Sequence, residues 1–336
     1  MIHRIKPLLL LLFVCIGLVS VIATSQKPSA PLLLVANQDD RSLSIIDAAA
    51  EKQITAVPVG GVTGHEVAAS PDGRTAYVPI YGNSGVGKPG TDGSNMAVID
   101  IASHKVTGYV DFGHGVRPHC AIFDQNSGLL YVTTELDKTV TAIDPKTLKI
   151  VGTIPTGQAE SHMLVLSHDG LRGYTANVGP GSVSVLDMKA RKTIAIIRIS
   201  ANTQRISISN DNSMVFTADQ TKPQLAVIDT ATNTIKAWVP LPGVGYGTAP
   251  THDGRWLLVA LRANAGVAVV DLLTLKVVRT ISVPSGPSEV LMRPDGKVAY
   301  VACGPAHQVA VIDLSQWKVD GLIDAGKNAD GMAWAQ

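Results

Sequence analysis

Residues 225–229 read LAVID, and the same short pattern closes six other stretches of the chain. It stands as LSIID at 43–47, MAVID at 96–100, VTAID at 140–144, VSVLD at 183–187, VAVVD at 267–271 and VAVID at 309–313. The terminal aspartates are Asp47, Asp100, Asp144, Asp187, Asp229, Asp271 and Asp313, at intervals of 53, 44, 43, 42, 42 and 42 residues. Ahead of each lies an apolar, β-branched segment such as AYVPI (76–80), LYVTT (130–134) or AYVAC (299–303). Behind each come a turn and another segment, for example KIVGTIPTG (149–157) or KVVRTISVP (276–284). A short strand then leads into SPDG (70–73), SHDG (167–170), THDG (251–254) or RPDG (293–296). Alternating apolar residues bounded by Gly, Asp and Asn turns indicate strands, four to a period.

A four-stranded unit repeated seven times implies an all-β, seven-bladed β-propeller. The Asp-Gly pairs suit hairpins because glycine takes positive φ without steric cost. Each terminal aspartate is expected to cap the turn that follows it. The chain enters at Leu32 as a second strand and ends at Gly331–Ala335 as a first strand. The C-terminus is therefore expected to complete the N-terminal blade and remove a free sheet edge.

Residues 1–23 read as a secretory signal peptide: a basic head at Arg4 and Lys6, then an uncharged apolar run from Leu8 to Ala23. A retained membrane anchor is the competing reading. Residues 24–31 are a linker and 32–336 the propeller, so a periplasmic or secreted location is expected. Without the leader the chain keeps 28 − 2 = 26 basic residues against 27 acidic ones. That balance gives no electrostatic reason for a nucleic acid or, after cleavage, a membrane as partner. A monomer is expected. Cys120 and Cys303 are expected as buried thiols, and no C-x-x-C-H haem attachment motif occurs.

The segments SPDGRTAYVPI, RPDGKVAYVAC, GSVSVLD, QLAVIDTATNTI and KIVGTIPTG resemble the YVTN-type seven-bladed propellers of exported bacterial and archaeal proteins. These are relatives of the haem-carrying propeller of periplasmic nitrite reductases. The resemblance covers essentially all of 32–336, although the eponymous tetrapeptide never occurs intact. It implies the fold and leaves the activity open. Its haem-carrying relatives raise a non-covalent haem as a possibility, but haem is not expected here. A histidine on the inner strand is common in this family, where it can simply bond the backbone of the next blade.

Topology turns spacing into position. Counting five residues back from each polar turn gives the mouth position of each inner strand: His65, His119, His162, Gln204, Tyr246, Ser288 and Gly331. Three successive repeats thus bring imidazoles to equivalent heights. Neutral imidazoles converging on an open face suit zinc, copper, nickel or iron, with a fourth position left open for chemistry. Glu135 or Glu66 could complete the shell or act as base. Arg117, Tyr81, Glu160, Asn177, Arg205 and Arg262 fall in the same neighbourhood as ligand-binding candidates. Repeat two also carries a glycine-rich insertion, GNSGVGKPGTDGSN at 82–95, on the same face. It contains G-x-x-x-x-G-K and G-x-G-x-x-G matches, but lacks the Ser/Thr and the helix that phosphate binding needs.

Two functions follow. The first is an exported propeller binding a small, metal-centred ligand at the channel mouth, with lactone hydrolysis or a lyase reaction as the fitting chemistry. The second is a non-catalytic scaffold for an envelope protein.

Overall fold

The computed structural model describes residues 31–336 except 62 and 84; the leader lies outside them. Seven four-stranded antiparallel sheets follow one another around a ring. Among the described residues no helix is long and apolar enough to cross a membrane.

From the axis outward, blade 2 runs Ala68–Ala69, Thr75–Gly82, Asp92–Asp100 and Lys105–Asp111. Blade 3 runs Pro118–Asp124, Leu129–Thr134, Thr139–Asp144 and Lys149–Pro155. Blade 4 spans 161–198, blade 5 spans 203–240, blade 6 spans 248–282 and blade 7 spans 287–324. Blade 1 is shared. Its inner strand, Ala329–Ala335, pairs antiparallel with Leu32–Asn37, and Trp334 Nε1 donates to the Met292 carbonyl of blade 7 at 2.8 Å. The ring closes as its termini imply.

The recurring aspartate does what its position suggests. Asp47 accepts from the backbone N–H groups of Ala49 and Ala50, Asp229 from Ala231 and Thr232, and Asp313 from Ser315 and Gln316. Four residues beyond each of the seven aspartates stands a non-glycine residue at positive φ: Glu51, His104, Leu148, Arg191, Asn233, Leu275 and Trp317. Left-handed backbone disfavours such residues, so the carboxylate bonds hold a turn that local sterics resist. Each blade also has a register shift between its third and outer strands, as at Ala142/Ile143 and Val185/Leu186. A bulge there increases the twist that lets successive sheets fan around the axis.

The apolar core lies between neighbouring sheets. Ile154, Val185, Ile197 and Val215 form one layer across blades 3 to 5, and Leu258, Val269, Val301 and Ile312 another across blades 6 and 7. Cys120 and Cys303 are buried free thiols within these layers.

The insertion differs from a simple loop. Its ends extend the hairpin of blade 2 as paired strand, with Ile80 opposite Asn95 and Gly82 opposite Asp92. Only 83–91 remains as connection.

Candidate functional site

The inner strands carry the three imidazoles to one place, as the repeat arithmetic anticipates. The ring centroids of His65 and His119 are 5.2 Å apart, and those of His119 and His162 only 3.4 Å apart. Tyr81 stands against all three, at 4.8, 5.4 and 5.9 Å. His119 and His162 are buried, and His65 is partly exposed.

Their nitrogens are unequally engaged. His162 Nδ1 pairs with Glu135, which also accepts a hydrogen bond from the Tyr81 hydroxyl at 2.8 Å. His162 Nε2 meets Gln204 Nε2 at 3.0 Å. His65 Nε2 meets the Thr63 hydroxyl at 3.1 Å. His119, by contrast, is 1% exposed and neither of its ring nitrogens has a hydrogen-bond partner. Among the described residues no set of three or more His, Cys, Asp or Glu side chains has the spacing of a preformed ion shell. Burial, with the nearby His162 and Arg205 charges, lowers the His65 pKa to about 4 although Asp330 opposes it. Burial also holds His119 well below the usual histidine range, aided by His162 and His65. Both rings are neutral near pH 7. The Tyr81 hydroxyl is pushed up by burial and by Glu135.

Beside the histidines a single cation crosses the channel. Arg205 of blade 5 is 3% exposed and donates through Nη2 to Asp330 of blade 1 at 2.6 Å. Its Nη1 lies 2.8 Å from Glu66 of blade 2 and 4.0 Å from Glu289 of blade 7. Burial raises Glu66 well above the carboxylate range and pushes Glu289 up to about 7, against the pull of Arg205. Burial would also raise Asp330, but Arg205, with His65 and Arg262, outweighs it and keeps that carboxyl ionised. Glu66 is therefore engaged in a buried ion cluster.

The remaining candidates divide by strand parity. Hairpins close on the pairs Thr134–Thr139, Asn177–Ser182, Asp219–Gln224 and Leu261–Gly266. One position further along stand Glu135, Val178, Gln220 and Arg262, with Gln38 in blade 1. Side chains alternate across a strand, so this offset changes the face a residue serves. Asn177, a ligand-binding candidate, stands at the closing position itself. Fully buried, it binds Ser161, Ser182 and Ser184 and braces blade 4 from within. Asn37 does the same for Ser42 and Ser44 in blade 1. Gln38, which sequence reading missed, reaches Asp330 at 2.5 Å across 292 residues of chain.

Arg117 and Glu160 hold the insertion. Arg117 donates to Asp92 at 2.6 Å and to the Lys88 carbonyl at 2.7 Å, and lies over the Tyr81 ring at 5.8 Å. Glu160 accepts from Gly179 N at 2.7 Å, and a Cβ on Gly87 would come within 2.7 Å of its Oε1. The connection thus runs from blade 2 past blade 3 to blade 4, over the histidine side. A cavity of about 520 Å³ continues this face beyond Gln204, lined by Gln220, Val244, Tyr246, Arg262 and Pro305. Another, of about 630 Å³, opens beside the 251–254 and 293–296 hairpins against Trp256 and Trp317 and includes none of the candidate residues.

Comparison with known proteins agrees with this architecture. The YNCE-like beta-propeller family model matches residues 243–336, and the cytochrome D1 heme domain model matches residues 124–250. Among solved structures, Kuenenia stuttgartiensis hydrazine synthase is similar at 21% identity and a TM-score of 0.74, over 84% of this chain and 92% of that one. A functionally unknown protein from Desulfotomaculum acetoxidans is similar at 13% identity and a TM-score of 0.74, over 91% and 99%. At such identities the likeness is one of fold. No curated protein matches the chain. The resemblance drawn from the repeats therefore holds: the chain is a seven-bladed propeller akin to YNCE-like proteins and to the cytochrome D1 haem domain.

Proposed function

We propose that this is an exported propeller whose channel mouth binds a small ligand centred on a transition-metal ion at His119. The observation that carries the reading is the buried His119 ring with both nitrogens unpartnered. Such a group costs about 1–3 kcal/mol when nothing satisfies it, and a bound ligand would remove that cost. Neutral imidazole is the form that ligates zinc, copper, nickel or iron. His65 and His162 would join when Thr63 and Gln204 release their Nε2 atoms.

Glu135 is the favoured base. It is buried between the Tyr81 hydroxyl, which donates to it, and His162 Nδ1, with which it can exchange a proton. Glu66, which faces Arg205 at 2.8 Å in the buried cluster, is unsuited to that role. A metal-polarised carbonyl beside such a base suits lactone hydrolysis or a lyase reaction.

The cytochrome D1 match raises haem, and the residues here do not fit one. The ring centroids of His119 and His162 lie only 3.4 Å apart, the rings tilted by 31°, and Arg205 spans the channel alongside. A macrocycle would have to displace both to reach His119.

The test uses the purified chain and its H119A and H162A variants, titrated with zinc and with nickel in a calorimeter. One ion per wild-type chain and at least tenfold weaker binding in H119A support the reading. No ion, or equal binding in all three proteins, removes it and leaves the envelope-protein scaffold as the function to pursue by pull-down.

A further inference from the structure

Of the three candidate arginines near the mouth, two are engaged by acids. Arg117 is held by Asp92, and Arg205 by Glu66, Asp330 and Glu289. Arg262 is exposed and has no carboxylate within ion-pair distance among the described residues. It opens a single 3₁₀ turn, Arg262–Asn264, that stops at Ala265 with φ 47°. Its guanidinium lies over the ring of the buried Tyr246 at 4.9 Å, and Arg205 approaches the same ring at 5.4 Å. Stacking of this kind fixes the plane of a guanidinium while leaving its N–H groups free for an anion.

The cavity in front of Arg262 is shaped for more than an inorganic ion. Val244, Ala263 and Pro305 supply apolar wall. Two glycines keep that wall close: a Cβ on Gly245 would meet Leu241 at 2.8 Å, and one on Gly286 would meet Pro305 at 2.4 Å. Gln220 donates to the Gly245 carbonyl at 2.7 Å, which leaves its amide oxygen as an acceptor. At the near end Gln204 connects the cavity to His162. The acids below face another cation: Asp330 accepts from Arg205, and Glu66 and Glu289 lie 2.8 and 4.0 Å from the same guanidinium.

We infer that this cavity is the subsite for the carboxylate end of a small organic acid. Arg262 takes the carboxylate, the Val244–Pro305 wall takes the carbon skeleton, and the far end of the molecule reaches Gln204 and the imidazoles. The inference rests on the reading of the mouth as a ligand site and gives that ligand a class. A lone cation beside apolar wall favours a monocarboxylate over a phosphate, which attracts several donors.

Benzoate is the probe, titrated calorimetrically into the full chain, with benzamide as an uncharged shape match and inorganic phosphate as a second anion. One benzoate per chain is expected, bound about 10–100-fold more weakly by R262Q, as loss of a charge-assisted hydrogen bond implies. Benzamide should bind at least tenfold more weakly than benzoate. No benzoate binding, equal binding by R262Q, or phosphate binding as tight as benzoate would each overturn the subsite. The zinc titration of R262Q should match wild type, and H119A should keep its benzoate affinity. Loss of one titration with the other intact therefore tells which of the two readings has failed.

Discussion

Replacing Arg205 by methionine is the most informative perturbation of the channel. The side chain is 3% exposed and faces Asp330 at 2.6 Å, Glu66 at 2.8 Å and Glu289 at 4.0 Å. Methionine fills similar volume but leaves the buried Glu66 and Asp330 and the half-buried Glu289 without their cation. Breaking a buried pair from one side typically costs about 3–5 kcal/mol. The loss depends on pH in a defined direction. Without Arg205, burial and the neighbouring acids hold the folded-state pKa values of Glu66 and Glu289 above their unfolded ones. A raised value contributes stability that is full below the unfolded pKa and is lost as pH rises through the folded one. Glu289, already at about 7 with the arginine present, moves further up. Urea unfolding should therefore show R205M about 3–5 kcal/mol less stable than wild type at pH 8, with the deficit shrinking toward pH 5. The double variant R205M/D330N, which removes the most firmly ionised carboxyl, should regain part of the loss. A deficit under about 1 kcal/mol at pH 8, or one that grows on acidification, would refute the reasoning.

Three further outcomes follow from the same structure. E135Q alters the carboxyl that accepts from the Tyr81 hydroxyl and pairs with His162 Nδ1, and should destabilise the chain by about 1–3 kcal/mol in denaturant titrations; an unchanged midpoint would mean that these contacts hold nothing. Deleting 329–336 strips blade 1 of its inner strand and exposes the edge of Leu32–Asn37; thermal melting followed by circular dichroism should lose its cooperative transition, and retention of it would contradict the closure. His114 is held above the ordinary histidine value by its hydrogen bond to Asp137 and by that residue's charge. The NMR titration midpoint of His114 should therefore fall in D137N, and no fall would exclude the pair.

The fold was legible because one local interaction recurs. Each terminal aspartate binds the turn behind it, so the seven turns leave seven visible residues at nearly constant spacing. The histidine cluster was legible by the same arithmetic, since equivalent positions on inner strands face a common axis. Asn177 differs from its fellow candidates by one position: it closes its hairpin, whereas Glu135 and Arg262 stand one step beyond theirs. Parity decides which face a strand residue serves, and a count that tolerates one position cannot see it. The Arg205 cluster was out of reach for another reason. It joins blades 5, 2, 1 and 7 across the channel, and such contacts depend on ring diameter and side-chain length, which no local pattern encodes. The paired ends of the insertion escaped notice because its glycines and polar residues carry no strand alternation.

The claim on which the function depends is that His119 is buried without a partner because it has a ligand to receive. A crystal structure of the chain grown with zinc, with the ion located by anomalous scattering, addresses it directly. The account predicts an ion about 2.0–2.1 Å from a ring nitrogen of His119, with His65 or His162 turned toward it. Zinc confined to surface histidines such as His114, with His119 still packed against His162, would contradict it.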